Sequence, residues 1–409
     1  MKKIKIHIIV LLLTLGFLTN SCIESFDVQT LGFEDALVVE ALITNEFKTH
    51  QIKLSNSFKF EEFTPPPETN AVIYIADDIG GRIDFTETFE AGVYSSDIPF
   101  AAEAGKEYQL FITTSDNKSY ESKAVTLTNI TQIDKVYAER DTNNLNEDGV
   151  SIFVDSYDAT GNSRYYRYEY EETYKIVAPR WSPVDLVIVT GPPYEYPVSF
   201  DYVSKTTEQK TCYNTKFSNG IVITETTDLA EDKVEKFNVR FLKSINPVIS
   251  HRYSILVKQY VQSIDAYTYY QTLKKLSSSQ NGITQNQPGF IEGNIRSSTG
   301  SDEKVIGIFE VSSVSEKRMF FNYKDLFEGE ALPPYFTLCE ITTPSIEPDE
   351  NVGPQLPGLL YGGEVKYYDL NGSYPEQDDV SIGPFNMVPT SCGDCTRLGT
   401  NVKPDFWYE

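Results

Sequence analysis

Residues 71–85 read AVIYIADDIGGRIDF. Two short alternating runs, rich in β-branched and aromatic residues, flank Asp78-Ile79-Gly80-Gly81. Runs of that length around a Gly-rich turn spell a β-hairpin. The same texture extends outward on both sides. ALVVEALIT (36–44) and AGVYSS (91–96) alternate in the same way. KEYQLFITTSDNKSYESKAVTL (106–127) carries a second hairpin turn at Ser115-Asp116-Asn117. Pro65-Pro66-Pro67 is a loop, because proline cannot donate into a central ladder. Residues 36–128 are therefore expected to form a β-sandwich, immunoglobulin-like or carboxypeptidase-regulatory-like.

Residues 129–325 continue the β pattern. GVSIFVDSYDATGNSRYYRYEYEETYKI (149–176) reads as a hairpin turning at Asp158–Asn162. In its second arm Arg164, Arg167, Glu169 and Glu171 interleave with tyrosines. That mixture suits an aromatic ligand platform, but cross-strand pairs on a solvated sheet face are the plainer expectation. RYSILVKQYVQ (252–262) is a strand and runs into SIDAYTYYQTLKKL, the one helix expected, over 263–277. Ser263 caps it, Asp265 lies in its first turn, and Lys274 and Lys275 lie in its last. Ile264, Tyr267, Leu273 and Leu276 follow the helical period. VIGIFEVSSVSEKRMFF (305–321) returns to strand. The expectation is a fibronectin-like sandwich with one inserted helix. From 326 to 409 the chain turns rich in Pro, Gly and acids, a loop-rich region that needs covalent help to stay ordered.

Composition agrees with a mostly β protein. The 409 residues include 27 Tyr and 24 Phe against 2 Trp, a balance suited to pleated surfaces. The net charge of −24 disfavours nucleic acid and anionic lipid surfaces as partners. The chain starts MKKIKIHIIVLLLTLGFLTNSC. Lys2, Lys3 and Lys5 precede an apolar run from Ile8 to Leu18, too short to span a bilayer, which takes about 20 residues. This is the pattern of a secretory signal over residues 1–21. Ser21 before Cys22 reads as a lipobox, with Cys22 as the lipidated first residue of the mature chain and 22–35 as its tether.

In an exported protein the remaining four cysteines, Cys212, Cys339, Cys392 and Cys395, are expected to form disulfides. Three pairings are possible. The preferred one joins Cys339 to one cysteine of the Cys392/Cys395 motif and Cys212 to the other. A zinc site would need a second C-x-x-C or a Cys/His pair. No P-loop, G-x-S-x-G or H-E-x-x-H motif is present. Only His50 and His251 remain after the signal, which leaves little room for a histidine-based catalytic site. Asp77-Asp78, Asp349-Glu350 and Asp378-Asp379 are acidic doublets in or near loops, read as solvated charge. No catalytic residue, metal or cofactor is expected.

Several stretches in order carry a resemblance: TCYNTKFSNGI (211–221), RYSILVKQY (252–260), DAYTYYQTLKK (265–275), EGNIRS (292–297), 305–321, and CGDCTRLGTNVKPDFW (392–407). Together they resemble the Bacteroidota lipoprotein family known as domain of unknown function 4249, over almost the whole mature chain. Tyr270 stands where the family often has tryptophan. The resemblance implies an outer-membrane lipoprotein, at the cell surface or on the periplasmic face. It implies a non-enzymatic accessory of a TonB-dependent receptor that helps capture its ligand. It also supports a clasp made by the four cysteines. A structural or assembly factor for outer-membrane proteins is the alternative, and a hydrolase using loop carboxylates is a third reading.

Overall fold

The computed structural model describes residues 36–58, 64–190, 198–278, 291–300, 303–346, 355–373 and 382–409. The expected signal (1–21), Cys22, the expected tether (22–35), Asp349-Glu350 and Asp378-Asp379 lie outside the described residues. The first strands are β1 (Leu37–Thr44), β2 (Gln51–Asn56), β3 (Val72–Asp77), β4 (Arg82–Glu87), β5 (Val93–Ser96), β6 (Glu107–Thr113), β7 (Ser119–Ser122) and β8 (Val125–Thr126). Next come β9 (Ile133–Thr142), β10 (Asp148–Asp158), β11 (Tyr165–Val177), β12 (Val184–Thr190), β13 (Ser199–Ser204) and β14 (Thr211–Phe217). β15 (Val222–Glu225), β16 (Asp232–Lys243) and β17 (Arg252–Val261) lead into helix α1 (Ile264–Ser278). β18 (Ile295–Ser297), the long β19 (Val305–Asn322) and α2 (Tyr323–Leu326) follow. The chain finishes through α3 (Leu356–Tyr361), β20 (Val365–Leu370), β21 (Phe385–Pro389) and α4 (Thr390–Gly393). The protein is mostly β, with few helices and two disulfides towards its C-terminal end.

β3 and β4 pair antiparallel, with Ile73 opposite Phe85, and Gly80 turns between them at φ +91°. β6 and β7 form the second hairpin, with Asn117 in the left-handed region at φ +66°. One core lies inside the sheet β1-β2-β5-β4-β3-β6-β7-β18, built from Val39, Ile43, Ile52, Ile73, Leu110 and their neighbours. A second core lies between β14-β11-β17-β19 and the separate sheet β16-β10-β9. The alternation of β11 works as the pleat requires: Tyr166, Tyr168 and Tyr174 enter this core, while Arg167 and Glu169 face the other way.

The two modules are not separated at residue 128. β1 pairs in parallel with the first half of β19, Leu37 opposite Val305 through Thr44 opposite Ser312. β18 pairs with β7, and Ile295, Val305, Phe309 and Val311 complete the first core. One continuous sheet therefore runs through both modules. The EGNIRS stretch has a clear role here. The Asn294 side chain donates to Phe309 O and accepts from Phe309 N, both at 2.8 Å, replacing a ladder rung between β18 and β19.

The run 149–176 is not a hairpin. β10 pairs with β9 and β16, whereas β11 pairs with β14, β15 and β17. The turn carries the chain from one sheet to the other, and two carboxylates hold it. Asp158 accepts from Thr160 N, Asn162 N and Ser163 N at 2.9–3.1 Å and from the Thr160 and Ser163 hydroxyls at 2.7 and 2.8 Å. Asp232 accepts from Ser163 N, Arg164 N and the Tyr166 hydroxyl. Burial pushes the Asp158 carboxyl up, but these donors outweigh it and bring it down to about 2. A carboxyl lowered on folding stabilises above its unfolded value of ~3.9 and loses that contribution as pH falls towards 2. Between pH 5 and 2.5 the wild type should lose about 2 kcal/mol more than Asp158→Asn in urea unfolding. Parallel losses in the two proteins would refute this.

α1 covers 264–278, with the Ser263 hydroxyl accepting from Ala266 N at 3.2 Å as its cap. Its buried face is Ala266, Tyr267 and Tyr269; Ile264, expected on that face, is exposed. The helix stands over the sheet where the modules join. The C-terminal region is more ordered than its composition suggests. β20 and β21 pair with each other, and Tyr367 and Met387 form a small core with Leu356 and Leu186.

Candidate functional site

β1 sends Val39, Ala41 and Ile43 into the first core, so the intervening Val38, Glu40 and Leu42 face the opposite side. On that side α1, β1, β11, β19 and the loop Ser218–Ile221 enclose a cleft of about 560 Å³. Its walls are mostly apolar, with Val38, Leu42, Ile308, Tyr270 and Leu273 among them.

Arg167 lies in this cleft with its side chain only 7 % exposed. Its guanidinium packs over the rings of Tyr260 at 4.4 Å and Tyr270 at 4.7 Å. It bonds Glu169 and stands 3.7 Å from Glu310. Burial pulls the Arg167 pKa down, but Glu310, Tyr270 and Glu169 outweigh that and hold it above its ordinary value. Glu310 accepts from Gln262 Nε2 at 3.3 Å and from the Ser312 hydroxyl. The Tyr260 hydroxyl donates to Glu169 at 3.0 Å. Burial pushes the phenols of Tyr260 and Tyr270 up, and the neighbouring carboxylates add to it. Three buried polar atoms of this cluster, Arg167 Nε, Glu310 Oε2 and Gln262 Oε1, have no hydrogen-bond partner. The face expected to be solvated is thus covered at Arg167, because α1 lies across it. Farther along, Lys258 and Glu316 form a cross-strand pair between β17 and β19, and Arg318 of β19 reaches Glu171 of β11 across the intervening β17.

The four cysteines come together as two bonds, Cys212–Cys395 and Cys339–Cys392. Cys212 sits on β14 inside the second core. The bond to Cys395 brings the C-terminal segment alongside this edge strand. Tyr213 and Thr400 exchange both backbone hydrogen bonds at 2.8 Å, and Cys395 N donates to Gln209 O. Trp407 is buried edge-on against Tyr213 and Phe320, and Arg318 lies 3.5 Å over the Phe406 ring. The tail therefore covers an edge that would otherwise be open to another strand.

The remaining candidate residues have structural roles. His50 is buried, with Nε2 3.0 Å from Phe100 O, and burial lowers its pKa. Burial also lowers the pKa of His251. Asp77 caps its turn through Gly81 N, and Asp78 accepts from Glu107 N. Among the described residues no three His, Cys, Asp or Glu side chains converge as a metal cluster.

Among the solved structures to which the chain is similar are two biofilm-protein domains. One is a biofilm associated protein, BSP domain, at 9 % identity, covering 71 % of this chain and 61 % of that one, with a TM-score of 0.15. The other is a biofilm associated protein, B domain, at 8 % identity, covering 69 % and 85 %, with a TM-score of 0.12. At those scores neither likeness bears on function. No curated protein matches the chain. The family model described as Domain of unknown function (DUF4249) matches residues 23–318, from just after Cys22 to near the end of β19. That span takes in the first core, most of the second, α1 and the cleft, and the chain belongs to the DUF4249 family.

Proposed function

We propose that this protein is a non-enzymatic, lipid-anchored outer-membrane lipoprotein that captures a ligand as the accessory of a TonB-dependent receptor. The observation that carries the reading is the N-terminal segment: three lysines, the apolar run Ile8–Leu18, and Cys22 directly after Ser21. An anchor of more than one acyl chain holds a protein stably at a membrane. The acidic balance suits an exported protein and disfavours nucleic acid as a partner. A cleft with apolar walls and a few fixed polar groups is the common form of a ligand site, and it supports capture over a purely mechanical role.

Two measurements test this. Cys22→Ser should move the protein from the membrane fraction to the soluble one. A mild-detergent pull-down of the native lipoprotein, read by mass spectrometry, should bring down a TonB-dependent receptor in comparable amount. Recovery of outer-membrane assembly subunits instead would replace this reading with an assembly role. A protein that stays membrane-bound without Cys22 would remove the lipid anchor from the account.

A further inference from the structure

We infer that this chain passes through a non-native disulfide, Cys212–Cys339, and is a client of a protein thiol–disulfide isomerase. The inference rests on the export and lipidation proposed above, because an oxidising compartment closes bonds as the chain arrives. The observation that carries it is the nesting of the two bonds. Cys212–Cys395 closes 183 residues and encloses Cys339–Cys392, which closes 53. The cysteines emerge in the order 212, 339, 392, 395, and neither final bond joins the first two.

The fold brings those first two together early. The strands of the second core, from β9 to β19, all end by Asn322. After α2, Tyr335 and Phe336 pack on that core, and the Phe336 ring stacks on Tyr174 at 5.8 Å. Tyr174 and Cys212 face the same core, and Tyr174 lies opposite Asn214, next but one to Cys212 on β14. Three steps of chain, about 10 Å at full extension, separate Phe336 from Cys339. The tail that covers the β14 edge in the finished protein is still missing at this point. At ~5–20 residues per second, the 53 residues from Cys339 to Cys392 take about 3–11 s to follow. A dithiol oxidant acting in that interval joins Cys212 to Cys339. Cys392 and Cys395 then arrive together and close on each other.

That state cannot correct itself. Exchange starts from a thiolate, and of the five cysteines four are paired and Cys22 carries lipid. The thiolate has to come from another protein. It attacks Cys212 Sγ, the Cys212–Cys339 bond breaks, and Cys339 leaves as a thiolate. Cys339 attacks Cys392, the Cys392–Cys395 bond breaks, and Cys395 leaves as a thiolate. Cys395 attacks Cys212 in the mixed disulfide and releases the isomerase thiolate. Two disulfides are present before and after, so the exchange consumes no oxidant.

The test follows the full-length lipoprotein by pulse-chase in a bacterial host with and without its periplasmic isomerase, the dithiol oxidase being intact in both. Acid quenching and alkylation fix the bonds, and mass spectrometry identifies the linked peptides. Cys212–Cys339 should appear first and give way to the two final bonds. Without the isomerase those final bonds should form at least about tenfold more slowly. Cys339→Ala with Cys392→Ala removes the competing partner, and Cys212–Cys395 should then form equally fast in both hosts. Absence of the Cys212–Cys339 peptide at every time, final bonds equally fast without the isomerase, or a double variant that still needs it would each overturn the inference and leave export standing. Recovery of all four cysteines as free thiols would remove export and this inference together.

Discussion

Gly307→Ala should destabilise the protein by about 3–5 kcal/mol, a third or more of the stability of an ordinary domain. Gly307 sits opposite Val39 in the parallel pair of β1 and β19, at φ +139°. That conformation is strained for any side chain, at about 1–3 kcal/mol. A Cβ there would also lie 2.1 Å from Val39 O, a backbone atom that cannot rotate aside. Relief requires β1 and β19 to separate, which opens the seam of the continuous sheet. Gly293 has the same problem from the other side, since its Cβ would meet Gly307 O at 1.6 Å. Three backbones thus converge where only hydrogen fits. Urea unfolding decides the matter, with Gly220→Ala as a control expected within about 0.5 kcal/mol of wild type. A Gly307→Ala midpoint equal to that control would show that the seam yields freely.

Replacing Cys212 and Cys395 together by alanine should cost about 4–5 kcal/mol. The bond closes a separation of 183 residues, and the chain-entropy contribution grows with the loop closed. Cys339–Cys392 closes 53, so its removal should cost slightly less, about 4 kcal/mol. The two losses differ more in kind than in size. Without Cys212–Cys395 the segment from Thr400 to Trp407 is held beside β14 by the two backbone bonds at Thr400, one from Asn401 to Glu208 O, and ring packing. Limited proteolysis should then cut this tail first, well before the cores. Equal unfolding with and without reductant, and an uncut tail, would show that the bonds contribute little.

What the sequence made legible followed local rules. The β3–β4 and β6–β7 hairpins carried their own turn residues, and α1 carried its cap. What it hid was non-local. Asp158–Asn162 has the composition of a hairpin turn, yet a sheet-crossing corner uses the same residues, and only Asp232, far along the chain, distinguishes them. Arg167 alternates with tyrosines as a solvated strand face does, and its burial depends on a helix almost a hundred residues later. EGNIRS was a family signature without a physical reading until Gly293 and Asn294 were seen against β19. Cysteine count and compartment pointed to disulfides, whereas which cysteine meets which depends on how the tail lies along β14.

The parallel pairing of β1 with residues 305–312 also sets an order of events during delivery. Residues near the N-terminus emerge first, but β1 has no partner on one side until most of the chain has followed. Such long-range parallel pairs form slowly. A chain halted before residue 295 presents two open strand edges, those of β1 and β7, with Ile295, Phe309 and Val311 missing from the core between them. Its N-terminal part remains a substrate for chaperones and proteases until the later strands arrive.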